Sequence, residues 1–351
     1  MTIKIQIQFI IIFLLFFVVG VFTIVFFHRN DDVYLKLAQQ KDISILVVGD
    51  SIGRSSCASK ADKEFVNLLK TYLQHKYSIT VTVLNVSMGG NDSYAEFIRV
   101  SQIPVNRNFD LVILCCGQND IDNSVGRYYE ALIRRVKTKW PNCNLISILQ
   151  SSQRSYTKKI KTIQTLAKHY DILIADTIEP FTSGENGKYS TLTDDGVHPN
   201  DKGYAVYAKV LQDIIDSEVI KRDNILLPIK KKKLPKAIFS ESLEYSIFHE
   251  IPTNIFVKNE NEYCVTLFIP KKSHIGIDVD HLKGSNYYEL IVNDKSRYLY
   301  QQFSPWMTQR HILEMFNIVA SGTYDLKIKF KYKEQIESFK GLFITSSEGE
   351  K

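Results

Sequence analysis

The stretch that decides the fold is Ile43-Ser44-Ile45-Leu46-Val47-Val48-Gly49-Asp50-Ser51-Ile52-Gly53. Its first six residues are typical of a buried β-strand, and the strand breaks at Gly-Asp-Ser. The break leaves the Ser51 hydroxyl at the carboxyl edge of a sheet, where open α/β sheets bind their ligands. The tripeptide alone is weak evidence. How strongly the tripeptide indicates a reactive serine depends on which residues follow the later strands.

Beyond this strand, apolar runs alternate with helical patterns. Strands are predicted at Ser44–Val48, Thr80–Val86, Asp110–Cys116, Asn144–Leu149 and Asp171–Ala175. Helices are predicted at Ala61–Lys76, Ser93–Ser101, Gly126–Trp140, Thr157–His169 and Asp201–Ile215. This alternation predicts an α/β fold with a doubly wound, parallel five-stranded sheet covered by helices on both faces.

The pattern changes at a basic segment, residues 221–236, which contains four consecutive lysines. Beyond it, short runs such as Cys264–Ile269 and Tyr287–Val292 alternate with a period of two, which predicts a small all-β sandwich-like domain. We therefore expect a domain at 41–220, a linker at 221–236 and a β-rich accessory domain at 237–351. The aromatic residues of this last part could bind sugars by stacking, although aromatic residues more often fill a sandwich core.

The amino-terminal segment Phe9–Phe27 is apolar apart from Gly20 and Thr23, and it is long enough to cross a bilayer as one helix. No signal-peptidase pattern follows it. We therefore expect residues 1–31 to be an uncleaved signal anchor, followed by a short, polar, helical stalk at 32–40. The charges that flank the span favour a catalytic domain outside the cytoplasm.

Composition excludes several classes of function. The net charge of +6 is mild, and no basic segment is interleaved with aromatic residues, so nucleic-acid binding is not expected. The five cysteines have neither disulfide-framework nor zinc spacing, which favours buried free thiols; they are Cys57, Cys115, Cys116, Cys143 and Cys264. No metal and no organic cofactor are implied. Two glycosylation sequons flank the loop at 89–90, where a glycan would obstruct a site, so either they are unused or the chain is not made in an N-glycosylating lumen. Together with the composition rich in Lys, Ile and Asn, this favours a bacterial protein.

Chemically useful residues follow the later strands. A glycine pair, Gly89-Gly90, comes after the second strand, and Asn119 comes after the third. His198 follows the fifth strand, three residues after Asp195. His198 can act as the base for Ser51 while Asp195 orients the imidazole.

An oxyanion hole for this reaction would combine the N–H groups of Ser51 and Gly90 with the Asn119 amide. Two assignments stay open at this point. Gly89 could replace Gly90 as the donor, and Asp194 could replace Asp195, although the three-residue spacing favours Asp195.

The order of these motifs closely resembles the SGNH (GDSL-like) hydrolase family. The matching blocks are Gly49-Asp50-Ser51, Gly90, Gly117-x-Asn119-Asp120 and Asp195-x-x-His198-Pro199, between about residues 43 and 215. The resemblance implies a flavodoxin-like fold and ester hydrolysis at a shallow, open site. The second block of the family often reads Asn-x-Gly-x-Ser-Gly, whereas in this chain Ser87 and Gly89 fill its third and fifth places.

The sequence thus predicts a membrane-anchored serine esterase. Its substrate would be an acylated small molecule or glycan. The anchor and the β-rich tail favour O-acetyl groups on a cell-surface or extracellular polysaccharide. An O-acyltransferase acting on a glycan would use the same residues. A non-catalytic, surface carbohydrate-binding protein is the third alternative, and the intact set of Ser51, Asn119 and His198 argues against it.

Overall fold

The computed structural model describes residues 32–122, 124–183, 189–223, 233–239, 245–282, 285–302 and 310–347. The predicted anchor Phe9–Phe27 and most of the lysine run lie outside these residues. Across the ranges described, no helix is both long enough and apolar enough to cross a membrane.

The amino-terminal half contains the predicted parallel sheet. Its strands are β1 (Ile43–Gly49), β2 (Val81–Asn85), β3 (Leu111–Cys115), β4 (Asn144–Leu149) and β5 (Leu173–Asp176). The strand order is β2-β1-β3-β4-β5, and all neighbours are parallel. This is the flavodoxin-like order, in which the chain direction across the sheet reverses between β1 and β3. Ser51 follows β1 and therefore lies at this switch point.

Helices cover both faces of the sheet. They are α1 (Val33–Ala38), α2 (Phe65–Tyr77), α3 (Ser93–Gln102), α4 (Val125–Lys139), α5 (Lys158–Tyr170), α6 (Ile178–Thr182), α7 (Tyr189–Leu192) and α8 (Asp201–Asp223). Alternate residues of β1 face opposite sides, as the pleat requires. Ile45 and Val47 pack with α1, α2 and α8, whereas Leu46 and Val48 pack with α3, α4 and α5.

The expectation of a polar stalk at 32–40 is wrong in one respect. The segment is helical, with the Asp32 carboxylate accepting hydrogen bonds from the N–H groups of Tyr34 and Leu35. However, Val33, Tyr34 and Leu37 are buried in the same core as α8. The short helix packs because its apolar side chains share one face, so α1 is part of the folded domain. Helix α8 also continues to Asp223, eight residues beyond its predicted end.

The carboxyl-terminal half is all-β, as predicted. The strands are β6 (Tyr245–Pro252), β7 (Val257–Lys258), β8 (Glu262–Ile269), β9 (Ser273–Asp280), β10 (Ser285–Val292), β11 (Lys295–Gln302), β12 (Arg310–Ile318), β13 (Gly322–Phe330) and β14 (Phe339–Ser347). One antiparallel sheet has the order β11-β10-β13-β8-β7 and the other β12-β9-β14-β6. Ile277 and Leu342 of one sheet share a buried cluster with Leu290 and Ile328 of the other. Two sheets packed over a common core form a sandwich.

The β12-β9-β14-β6 sheet also packs against the α/β half. Ile312 of β12 and Phe343 of β14 belong to the core that contains α3 and α4. Gly276 of β9 lies under the Tyr94 ring so closely that a Cβ there would be 2.5 Å from the tyrosine oxygen. The Ile312 N–H donates to Asn91 Oδ1, so the start of β12 lies beside the loop that follows β2 and carries Gly90.

Candidate active site

The turn after β1 holds Ser51 in a buried position, with 6% of its surface exposed. A Cβ at Gly49 would lie 2.3 Å from the backbone oxygen of Cys115, so only glycine fits where β1 passes β3 at this end. The Asp50 carboxylate then accepts a hydrogen bond from the Ile52 N–H at 2.9 Å, which closes the turn around the serine. The close approach of Gly49 to β3 and the hydrogen bond to Asp50 together hold the turn that carries the Ser51 hydroxyl.

The loop before α8 brings a histidine to this hydroxyl. His198 Nε2 lies 2.8 Å from Ser51 Oγ, and His198 Nδ1 lies 2.6 Å from Asp195 Oδ2. The other oxygen of Asp195 accepts the N–H groups of Val197 and His198, at 2.9 and 2.7 Å. Gly196 has a φ of +77°, a conformation that favours glycine and allows the loop to turn back this tightly.

The electrostatics of Asp195 suit an orienting carboxylate. Partial burial raises its pKa, but the hydrogen bonds from the His198 side chain and from two backbone N–H groups outweigh burial and lower the pKa overall. Asp195 therefore stays ionised beside the imidazole at neutral pH. The neighbouring Asp194 points elsewhere and accepts a hydrogen bond from Asn200 Nδ2 at 2.8 Å. The structure thus separates the two adjacent carboxylates.

The other two predicted oxyanion donors, Gly90 and Asn119, lie on the loops that follow β2 and β3. Gly90 has a φ of +84°, and the loop around it is tied to β1 by the Met88 N–H, which donates to the Gly49 oxygen at 2.8 Å. Asn119 Nδ2 donates to the backbone oxygen of Asn91 at 2.9 Å. A side-chain amide has two N–H donors, so this hydrogen bond orients Asn119 and leaves a second donor.

Sequence reasoning missed Gln150, which connects two of these loops. Its Nε2 donates to both oxygens of Asp50, at 2.9 and 3.0 Å, and its Oε1 accepts the Gln118 N–H at 2.9 Å. Asp50 is completely buried, and burial raises its pKa to about 6 although the Gln150 hydrogen bonds oppose that rise. Gln150 directly follows the apolar strand β4, the kind of position that marked Asn119, so the signal was present.

One group of side chains could also hold a metal ion. Ligand atoms of Cys57, Asp195 and His198 all lie within 4.8 Å of one another. Burial, together with the charges of Asp195 and Asp194, raises the pKa of the Cys57 thiol to about 12, so the thiol is protonated at neutral pH. Because His198 and Asp195 already bond to each other, the arrangement is that of a hydrogen-bonded triad with a neighbouring neutral thiol.

Comparison with known proteins gives a family match that lies in the α/β half. Residues 47–206 match the model of the GDSL-like Lipase/Acylhydrolase family. A search of curated protein sequences found no match.

Among solved structures, the chain is similar to a two-domain esterase (CEX) active on acetylated mannans. The identity is 16% and the TM-score 0.75, over 92% of this chain and 96% of that chain. The same esterase co-crystallised with mannopentaose gives 16% identity and a TM-score of 0.71, over 90% and 94%. Axe2, an acetylxylan esterase from Geobacillus stearothermophilus, covers 49% of this chain and 94% of its own, with 18% identity and a TM-score of 0.43. At these identities, the first two likenesses show a shared fold that extends over both halves of the chain.

Proposed function

We propose that this chain, whose residues 47–206 match the model of the GDSL-like Lipase/Acylhydrolase family, is a serine esterase that removes O-acetyl groups from a polysaccharide. The observation that carries the proposal is the continuous hydrogen-bond chain from Ser51 Oγ through His198 to the Asp195 carboxylate. This arrangement prepares a serine hydroxyl for attack on an ester carbonyl.

In the proposed reaction, Ser51 Oγ attacks the acyl carbon while His198 Nε2 takes the hydroxyl proton. Asp195 stabilises the imidazolium through its hydrogen bond to Nδ1. The N–H groups of Ser51 and Gly90 and the free N–H of Asn119 would receive the carbonyl oxygen as it becomes negative. The sugar hydroxyl leaves with the proton from His198. Water, deprotonated by His198, then attacks the acyl carbon. The bond from this carbon to Ser51 Oγ breaks, His198 returns the proton to Oγ, and the acid leaves.

One observation supports a glycan as the alcohol. The fold likeness to an esterase active on acetylated mannans extends over the carboxyl-terminal sandwich as well as over the α/β half.

We also propose that Phe9–Phe27 anchors the chain in the membrane with the esterase outside the cytoplasm. The apolar length of this segment supports the proposal. Protease added to intact cells is expected to degrade the esterase domain. Full protection, with degradation only after lysis, would contradict the proposed orientation.

The central test compares the full chain with Ser51→Ala. Acetate release from acetylated mannan and acetylated xylan, and p-nitrophenol release from its acetate ester, are expected to fall by at least about 10³-fold in the variant. Ser59→Ala is the matched control, because this nearby hydroxyl bonds Asp201 at 2.6 Å and has no part in the triad. Equal rates for Ser51→Ala and the parent chain would exclude the serine mechanism.

A further inference from the structure

The strongest unassigned feature near the site is Asn91, the residue directly after the oxyanion glycine. It is almost completely buried, with 1% of its surface exposed. Its backbone oxygen accepts the Asn119 amide at 2.9 Å. Its side-chain Oδ1 accepts the backbone N–H of Ile312, at the start of β12, at 3.1 Å. One residue therefore connects an oxyanion donor to the carboxyl-terminal sheet.

We propose that Asn91 is a positioning residue through which the β12-β9-β14-β6 sheet holds the oxyanion hole in its reactive geometry; this rests on the proposed function. Asn91 itself does not touch the reacting atoms. It fixes Asn119 through its backbone oxygen, and it is fixed in turn by a main-chain N–H of the accessory sheet. The accessory half would then be part of the catalytic machinery, beyond any role in binding a glycan.

The residues around Asn91 support this inference, because hydrogen bonds there join the loop that carries Gly90 to the loop that carries Asn119. The Asp120 carboxylate, next to Asn119, accepts both the N–H and the hydroxyl of Ser93, at 3.1 and 2.9 Å. Ser93 begins α3, the helix against which the sheet packs. The Asn91 and Asp120 contacts together join the Gly90 loop, the Asn119 loop and β12.

The cost of losing the Asn91–Ile312 hydrogen bond indicates that Asn91 positions the oxyanion loop and does not only hold the two halves together. The Ile312 N–H is buried, and a buried donor without an acceptor costs about 1–3 kcal/mol. Truncation of Asn91 would therefore favour movement of the loop or of β12 until the N–H finds another acceptor. Because Asn119 is bonded to the same residue, its amide would move with the loop. Small displacements of a donor weaken transition-state stabilisation more than they weaken substrate binding.

The test is a double-mutant cycle with p-nitrophenyl acetate as substrate and the full chain as enzyme. We expect Asn91→Ala to lower kcat by about 10- to 100-fold with little change in KM, since one oxyanion donor accounts for about 10²–10³-fold. Asn119→Ala should lower kcat at least as much. The double variant should lose less than the product of the two single losses, because Asn91 acts in part through Asn119.

Gln102→Ala is the matched control. Gln102 Nε2 donates to the Glu250 carboxylate at 3.1 Å across the same junction, and this hydrogen bond involves neither Asn91 nor Asn119. The kcat of Gln102→Ala should therefore match that of the parent chain. If Asn91→Ala does not fold, Asn91→Ser replaces it, because the serine hydroxyl is too short to reach the Ile312 N–H. Multiplicative losses in the double variant, or a parental kcat for either Asn91 variant, would overturn the proposal. If the parent chain itself releases p-nitrophenol no faster than Ser51→Ala does, the proposed esterase is rejected instead. The two failures are therefore distinguishable.

Discussion

Asp194 and Asp195 are neighbours in sequence but have different partners, which makes them a matched pair for mutation. Asp195 bonds His198, whereas Asp194 bonds Asn200. Asp195→Asn removes the charge that stabilises the imidazolium and favours the wrong tautomer, so kcat for p-nitrophenyl acetate is expected to fall by about 10²–10⁴-fold. Asp194→Asn should retain the parental kcat within about twofold. A larger loss for Asp194→Asn than for Asp195→Asn would reverse the assignment.

Asp50 makes a separate contribution, to the pH dependence of stability. Burial raises its pKa to about 6, above the ordinary value of 3.8. The folded chain therefore binds this proton more tightly than the unfolded chain does. The resulting stabilisation is complete below about pH 4 and is lost as the pH rises through about 6. Between these values the free energy of unfolding should fall by about 3 kcal/mol on account of Asp50.

Asp50→Asn should remove this contribution, since an amide does not titrate. Urea unfolding at a series of pH values is expected to give a shallower fall in the free energy of unfolding between about pH 4 and 6 than in the parent chain. Asp62→Asn, at an exposed carboxylate, is the control and should leave the slope unchanged. The same slope in Asp50→Asn and the parent chain would show that Asp50 does not titrate in this window.

At the scale of elements, the contact between β9 and α3 requires a residue without a side chain, glycine, at position 276. Gly276→Ala would place a methyl group 2.5 Å from the Tyr94 oxygen, within a packed junction. We expect this overpacking to lower the free energy of unfolding by about 1–3 kcal/mol. At Gly322, at the start of β13, the nearest atom to a new Cβ is 3.6 Å away, so Gly322→Ala should cost much less. Similar losses for the two variants in urea unfolding would contradict the close packing.

The elements that the sequence predicted well are those whose signal is local. The apolar run before Gly49 and the runs that form β3 and β4 each carry their own pattern, so their strands lie within a residue or two of the predicted bounds. Local pattern does not reveal packing between distant segments. The burial of α1 depends on α8, and the role of Gln150 depends on Asp50, one hundred positions away. The Ile312 contact of Asn91 joins residues still farther apart, so only the structure shows it.

For the whole molecule, the question is whether the two halves unfold separately. Ile312 and Phe343 of the sandwich are buried in the core formed with α3 and α4. Loss of the sandwich would expose this apolar face and would leave the Asn91 side chain without the Ile312 N–H. The α/β half alone would then lose both burial and a buried hydrogen bond. We therefore expect the described halves to unfold together.

Ile277→Ala tests this expectation from within the sandwich core. Ile277 lies in the sandwich core and is completely buried, so its truncation should cost about 2–5 kcal/mol. If the halves unfold together, the temperature at which esterase activity is lost should fall by about 5 °C or more, in step with the far-ultraviolet circular dichroism. Val319→Ala, at a position 79% exposed between β12 and β13, is the control and should change neither temperature. Activity that persists after the β-sheet signal of Ile277→Ala has melted would mean that the α/β half holds its site without the sandwich, which would also remove the structural basis for the role of Asn91.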